Sequence, residues 1–155
     1  MDNNTFSQNI IDAESVLYHI SKSILINEAD CEDAVSEAVL KAYEKLYTLK
    51  DEQYFRTWLI RIMINECYKI LRKKRPVISY EDSLSEEEYE SKDYMELYGE
   101  LTCLEPRIRI AVVLYYVEGY SLEEIKSILK IPLGTVKSRL SRGRKILKNK
   151  LESEE

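Results

Sequence analysis

Apolar residues recur at helical spacing through the first third of the chain, at Ala13, Val16, Leu17, Ile20 and Ile24. A polar break at Asn27-Glu28-Ala29 ends that run, and a second follows on Val35, Ala38, Val39, Ala42 and Leu46. Asp30 is the expected N-cap of the second helix, because a short side-chain oxygen accepts from the unpaired first-turn amides. A third helix is predicted from near Gln53, on Phe55, Trp58, Leu59, Ile62, Ile70 and Leu71. It ends in the cluster Arg72-Lys73-Lys74-Arg75 and is stopped by Pro76. Cations at a helix C-terminus are favoured by its dipole, by ~0.3–1 kcal/mol each, so part of that cluster has a structural use.

From Pro76 to about Glu90 the period lapses into Ser79, Glu81, Asp82, Ser83, Ser85, Glu86, Glu87 and Glu88. Low hydrophobicity with dense like charge reads as a linker and sets the domain boundary. Helical spacing resumes at Tyr94, Leu97, Leu101 and Leu104, continues through Ile108, Ala111, Val112 and Tyr115, and breaks at Gly119. Ser121-Leu122-Glu123-Glu124 is then a capping box, in which Ser121 accepts from the Glu124 amide while Glu124 reaches back. It opens a short helix with Leu122, Ile125, Ile128 and Leu129 on one face. Lys130-Ile131-Pro132 forces a turn, since proline biases the residue before it away from the α region. A longer helix follows from about Leu133 to Leu151, with Val136, Leu140, Gly143 and Leu147 on its buried side.

A short helix, a tight turn and a longer basic helix make the helix-turn-helix arrangement. The exposed side of the last helix carries Thr135, Lys137, Ser138, Arg139, Ser141, Arg142, Arg144 and Lys145. Arg and Lys bond guanine edges or phosphates, and Ser and Thr fit either, so this face suits a major groove. A merely solvated helix face presents similar charges; the capping box, the turn and the cations just after it favour DNA.

The whole chain of 155 residues has a net charge of −5, which looks wrong for a DNA binder until it is divided. Residues 1–75 hold 11 basic against 12 acidic residues, 76–105 hold 1 against 10, and 106–155 hold 11 against 6. An acidic middle thus hides a basic C-terminal unit. Phosphate responds to the local field within about 8–10 Å at cellular salt, so that unit remains fit for DNA. With four glycines and three prolines, the chain is short of turn residues for an all-β fold. The expected class is all-α, two small helical domains joined by an acidic linker: residues 1–75, 76–90 and 91–155.

No run approaches the roughly 20 apolar residues of a membrane span, and the start Met1-Asp2-Asn3-Asn4-Thr5 is unlike a signal peptide. No membrane insertion and a cytoplasmic location are expected. Cys31, Cys67 and Cys103 are dispersed and odd in number, which argues against a disulfide framework. His19 has no cysteine or histidine near it, and a zinc site needs three or four such ligands. No metal and no cofactor are expected. Paired carboxylates in an apolar setting, a nucleophile with its base, and a phosphate-binding glycine loop are all lacking, so the sequence predicts no enzyme.

Gly119-Tyr120-Ser121-Leu122-Glu123-Glu124-Ile125, followed by Ile131-Pro132-Leu133-Gly134-Thr135-Val136-Lys137-Ser138-Arg139-Leu140-Ser141-Arg142-Gly143-Arg144, resembles region four of extracytoplasmic-function (ECF) sigma factors. Asp30-Cys31-Glu32-Asp33-Ala34-Val35-Ser36-Glu37 resembles the region-two helix that docks on RNA polymerase. Phe55-Arg56-Thr57-Trp58-Leu59-Ile60-Arg61-Ile62, then Ile64-Asn65 and Leu71-Arg72-Lys73-Lys74-Arg75, resembles the segment that opens and reads the minus-ten element. The three stretches occur in the family's order and span nearly all of the chain. Three residues depart from the pattern. Ser36 stands where glutamine is usual. Lys130 stands where glycine often fills the turn, and a left-handed lysine costs roughly 1 kcal/mol. Gly143 replaces a usual alanine and is expected to loosen the last helix by up to ~1 kcal/mol.

The resemblance implies a factor that binds core RNA polymerase and directs promoter recognition, DNA melting and initiation, with the polymerase doing the chemistry. It places Thr135, Lys137, Ser138, Arg139, Arg142, Arg144 and Lys145 on the minus-thirty-five element. It places Lys50, Tyr54, Arg56, Arg61, Asn65, Lys69, Arg72 and Lys73 on the minus-ten element, with the loop Lys50–Tyr54 and Asn65 forming a pocket for an unstacked base. Phe55 and Trp58 fit that surface too, though at helical spacing they suit a core better. Asp33, Glu37, Leu40 and Lys41 are implied for the polymerase β′ clamp, with the β flap a second contact and an anti-sigma factor a further partner. The acidic linker is implied to thread the polymerase toward the RNA exit channel; a plain solubilising tether has the same composition. A helix-turn-helix regulator that binds operators without joining the polymerase accounts for the C-terminal unit but not for the region-two-like block.

Overall fold

The computed structural model describes residues 1–74 and 99–153. All regular structure among them is helical, and the chain divides into two compact units, Met1–Val77 and Ile78–Glu155. The acidic stretch from Pro76 to Glu90, with Tyr94 and Leu97, lies outside the described residues. So does the side chain of Lys74, and all of Arg75. Among the described residues no helix is long and apolar enough to cross a membrane.

The first unit holds α1 (Asn3–Asp12), α2 (Glu14–Leu25), α3 (Glu28–Glu44) and α4 (Phe55–Lys74). Two short 3₁₀ turns, Leu46–Thr48 and Glu52–Tyr54, lead from α3 into α4. Sequence spacing misses α1 because only Phe6 of that helix is buried, so it shows no apolar period. Asp2 caps it, its carboxylate accepting from the Thr5 amide at 2.7 Å. Asp30 is not the N-cap of α3. Asn27 takes that place, accepting from the Asp30 amide at 2.9 Å, and Asp30 lies buried inside the first turn. The expected start of α4 near Gln53 is also displaced. Asp51 accepts from the Gln53 amide and closes a 3₁₀ turn, and the α-helix begins at Phe55.

The core of this unit is built from Leu17, Ile20 and Ile24 of α2 against Leu59, Ile60 and Met63 of α4. Burying each such side chain is worth ~1.5–3 kcal/mol. Ala34, Ala38 and Ala42 recur every four residues along α3 with no exposure, and this ridge of methyl groups lets α3 pack close to α2 and α4. Phe55 belongs to the core and meets Phe6 edge-on at 5.9 Å, while Trp58 is half-buried beside it.

Between α2 and α3 the chain reverses through Ile26, at φ 66° and ψ −50°. The Asn27 amide donates to the Leu25 carbonyl at 2.6 Å, a γ-turn that a β-branched residue seldom adopts. Lys22 holds it: its buried Nζ donates to the Ile26 carbonyl at 2.8 Å and pairs with Glu28 at 2.9 Å.

The second unit holds a helical stretch at 99–101, then α5 (Pro106–Val112), a π-helical turn (Val113–Val117), α6 (Leu122–Leu129) and α7 (Leu133–Ser153). Pro106 starts α5, where its missing N–H costs nothing. Leu101, Leu104, Ile108, Val112, Ile125, Ile128, Val136 and Leu140 close the core. Gly143 is buried in it rather than loosening the helix: α5 packs so near that a Cβ there would meet Val112 and Ile108. Glycine is therefore what permits this packing, which corrects the reading from helix propensity alone.

Candidate nucleic-acid interface

The helix-turn-helix forms as its residues dictate. Ser121 Oγ accepts from the Glu124 amide at 3.1 Å, and Glu124 Oε1 accepts from the Ser121 amide at 2.8 Å. Two orphan donors at the start of α6 are thereby satisfied. At its other end Lys130 takes the left-handed conformation, φ 54° and ψ 51°, and Pro132 admits α7. The turn thus keeps its geometry and bears the lysine's strain.

Along α7, Val136, Leu140 and Gly143 face inward, so residues half a turn away face out. Lys137, Ser138, Arg142 and Lys145 are exposed on that outer side, with Ser141 and Lys148 in the same row. Thr135 and Arg139 are half-buried at its flank. Arg144 turns aside: its Nη1 donates to the Tyr116 hydroxyl at 3.1 Å, at the rim of an apolar groove formed with Leu101, Val112, Leu147 and Leu151. Ser141 and Lys148 continue the row by helical spacing, a signal that reaches Lys148 beyond the predicted set.

In the first unit, Leu59, Ile60, Met63, Ile64 and Cys67 give α4 its buried face. On the opposite face run Arg61, Asn65, Tyr68 and Arg72, at spacings of four, three and four residues. Asn65 and Arg72 are exposed, and Arg61 is half-buried, which lowers its guanidinium pKa. Tyr68 is half-buried in the same row and is legible only once the face is known. Lys50 and Tyr54 are exposed in the approach to α4, Tyr54 by 56%. Lys69 and Lys73 are exposed beyond the row. Arg56 is apart from it, exposed in the first turn of the helix, where its Nη2 donates to the Asp12 carbonyl at 2.9 Å.

On α3, Asp33, Glu37 and Leu40 share the exposed face opposite the alanine ridge, Leu40 with 51% exposure. Lys41 lies off that face and pairs with the buried carboxylate of Glu66 at 3.1 Å.

A capped helix, a left-handed turn and a second helix lined with exposed cations define a helix-turn-helix DNA-binding protein, here preceded by a separate helical bundle with a polar row on α4. Residues 94–147 match the family model for sigma-70 region 4, and residues 11–77 match that for sigma-70 region 2. The chain is 30% identical over 146 residues to the ECF RNA polymerase sigma-E factor of Escherichia coli strain K12, across 82% of this chain and 76% of that protein. It is 28% identical to the ECF RNA polymerase sigma factor SigW of Bacillus subtilis strain 168, across 97% of this chain and 90% of the relative. In structure it is similar to a chain of the co-crystal of the sigma factor RpoE with the anti-sigma factor NepR from Bartonella quintana. The TM-score is 0.80 at 28% identity, over 96% of this chain and 97% of that one. It shares its fold with a chain in the structure of CnrH with the cytosolic domain of CnrY, with a TM-score of 0.77 at 23% identity over 99% and 92% of the two chains. The chain belongs to the ECF family of RNA polymerase sigma factors.

Proposed function

We propose that this chain joins core RNA polymerase and directs promoter-specific initiation, α7 reading the minus-thirty-five element while the exposed face of α4 acts at the minus-ten element. The observation that carries this reading is a coincidence of position. The region 4 match contains the cation-lined face of α7, and the region 2 match contains the polar row of α4.

In duplex DNA, Lys137, Ser138, Arg142 and Lys145 meet phosphates and base edges, Thr135 and Arg139 border the contact, and Arg144 reaches its edge from Tyr116. At the minus-ten element, Asn65 and the loop Lys50–Tyr54 capture a base that leaves the stack. Unstacking costs a few kcal/mol, offset by polar contacts and aromatic surface. Arg61, Lys69, Arg72 and Lys73 follow the strand backbone, and Arg56 steadies the start of α4. The factor works in the cytoplasm and has no catalysis of its own, since the polymerase makes the bonds. Its functional division is residues 1–75, an acidic linker 76–90, and residues 91–155.

The β′ clamp takes Asp33, Glu37 and Leu40, with Lys41 at the edge, and the β flap takes the second unit. An anti-sigma partner is supported by the likeness to RpoE, which was solved bound to NepR. Co-elution with purified core polymerase tests the clamp contact. Association that weakens in Leu40→Ala supports this reading. Salt-dependent DNA binding with no association to core polymerase would support an operator-binding regulator instead.

A further inference from the structure

Glu66 is 5% exposed on α4, a buried carboxylate that none of the roles above uses. Two ammonium groups gather at its Oε2: Lys41 Nζ from α3 at 3.1 Å and Lys69 Nζ from α4 at 3.7 Å. A buried carboxylate needs one cation to offset its lost hydration, and Lys41 supplies it at hydrogen-bonding distance. The second lysine is surplus to that need. Glu37, one turn back on α3, also attracts Lys41, so Lys69 is the cation of the cluster left facing solvent: its side chain is 51% exposed, that of Lys41 30%. A surplus cation has a use where a polyanion passes, and Lys69 stands one helical turn beyond Asn65.

We propose that Glu66 is a positioning residue for promoter DNA: its buried carboxylate gathers Lys41 and Lys69 so that Lys69 presents its charge beside the α4 row. Lys41 and Lys69 repel each other, and the carboxylate between them offsets that repulsion. Without its charge the more exposed lysine swings into solvent and must be ordered again at each binding event. The same oxygen ties α3, the proposed polymerase helix, to α4, the proposed DNA helix. This inference rests on the initiation-factor reading.

The test is a double-mutant cycle on the full chain bound to core polymerase. The probe is a fork-junction DNA with a single-stranded minus-ten segment, made from a promoter selected by run-off initiation. Lys69→Met is expected to weaken binding and to reduce the magnitude of the salt slope by about 0.7–0.9, the value of one phosphate contact. Glu66→Gln is expected to weaken binding severalfold when Lys69 is present and to change nothing further in the Lys69→Met background. Tighter binding in Glu66→Gln would overturn the proposal, since the carboxylate would then only repel DNA. Equal weakening in both backgrounds would overturn it as a general packing loss, as would an unchanged salt slope in Lys69→Met. Should Glu66→Gln fail to fold, Glu66→Asp carries the same cycle, with the charge drawn back by one methylene and a smaller effect in the same direction. Absence of core-dependent binding by the unaltered chain would overturn the initiation reading itself, an outcome distinct from any difference among the variants.

Discussion

Gly143 of α7 and Val112 of α5 approach so closely that a Cβ on Gly143 would stand 2.8 Å from Val112 Cγ2, and 3.1 Å from Ile108 Cγ2. Valine and isoleucine are stiff at χ1, so neither methyl can move aside without a shift of its helix. Alanine favours a helix over glycine by up to ~1 kcal/mol, but overpacking a core costs ~1–3 kcal/mol. Gly143→Ala is therefore expected to destabilise the second unit, seen as a lower melting temperature in thermal unfolding.

Lys130 offers the opposite case. Its left-handed backbone costs about 1 kcal/mol that glycine would not incur, and its side chain is exposed. Lys130→Gly is expected to raise stability by up to ~1 kcal/mol, measured by denaturant unfolding.

These two positions show where the sequence is legible and where it stops. The capping box, the turn and the outward row of α7 follow from local rules, since each residue's role is set by neighbours within four positions. Gly143 does not, because its reason is a helix that ends at Val112, 31 residues earlier. The same limit applies at Asn27, which caps α3 in place of the expected Asp30, and at α1, whose single buried residue gives no period. The α4 row needed the structure as well. Arg56 and Arg61 read alike in sequence, yet the exposed Arg56 bonds the Asp12 carbonyl at the surface of the bundle while the half-buried Arg61 joins Asn65 in the polar row.

Arg142 lies in the exposed row of α7, and the proposed contact with a base or a phosphate would set both affinity and salt dependence. Arg142→Ala is expected to reduce the magnitude of the salt slope for minus-thirty-five DNA by about 0.9 if it meets a phosphate. It is expected to cost ~1–3 kcal/mol with relaxed specificity at one base pair if it meets a guanine edge. Fluorescence anisotropy across a salt series distinguishes these from a solvated surface arginine, which would leave both unchanged.

Cys31 and Cys67 are buried and Cys103 is exposed. Burial pushes the Cys31 thiol up to about 11, and raises Cys67 as well. A thiol reagent at pH 8 is expected to modify Cys103 alone in the folded chain and all three cysteines after unfolding, counted by mass spectrometry. The sign for stability follows. The favourable contribution of keeping these thiols neutral is present below the ordinary thiol value of about 8.5. For Cys31 it is lost as pH rises through about 11.

The central claim is initiation at a chosen sequence, and run-off transcription with purified core polymerase on promoter libraries tests it most directly. The account predicts sequence-specific transcripts that appear only when this protein is added and that fade in Asn65→Ala and in Arg142→Ala. No new transcript, from a protein that still binds DNA in a salt-dependent way, would contradict it.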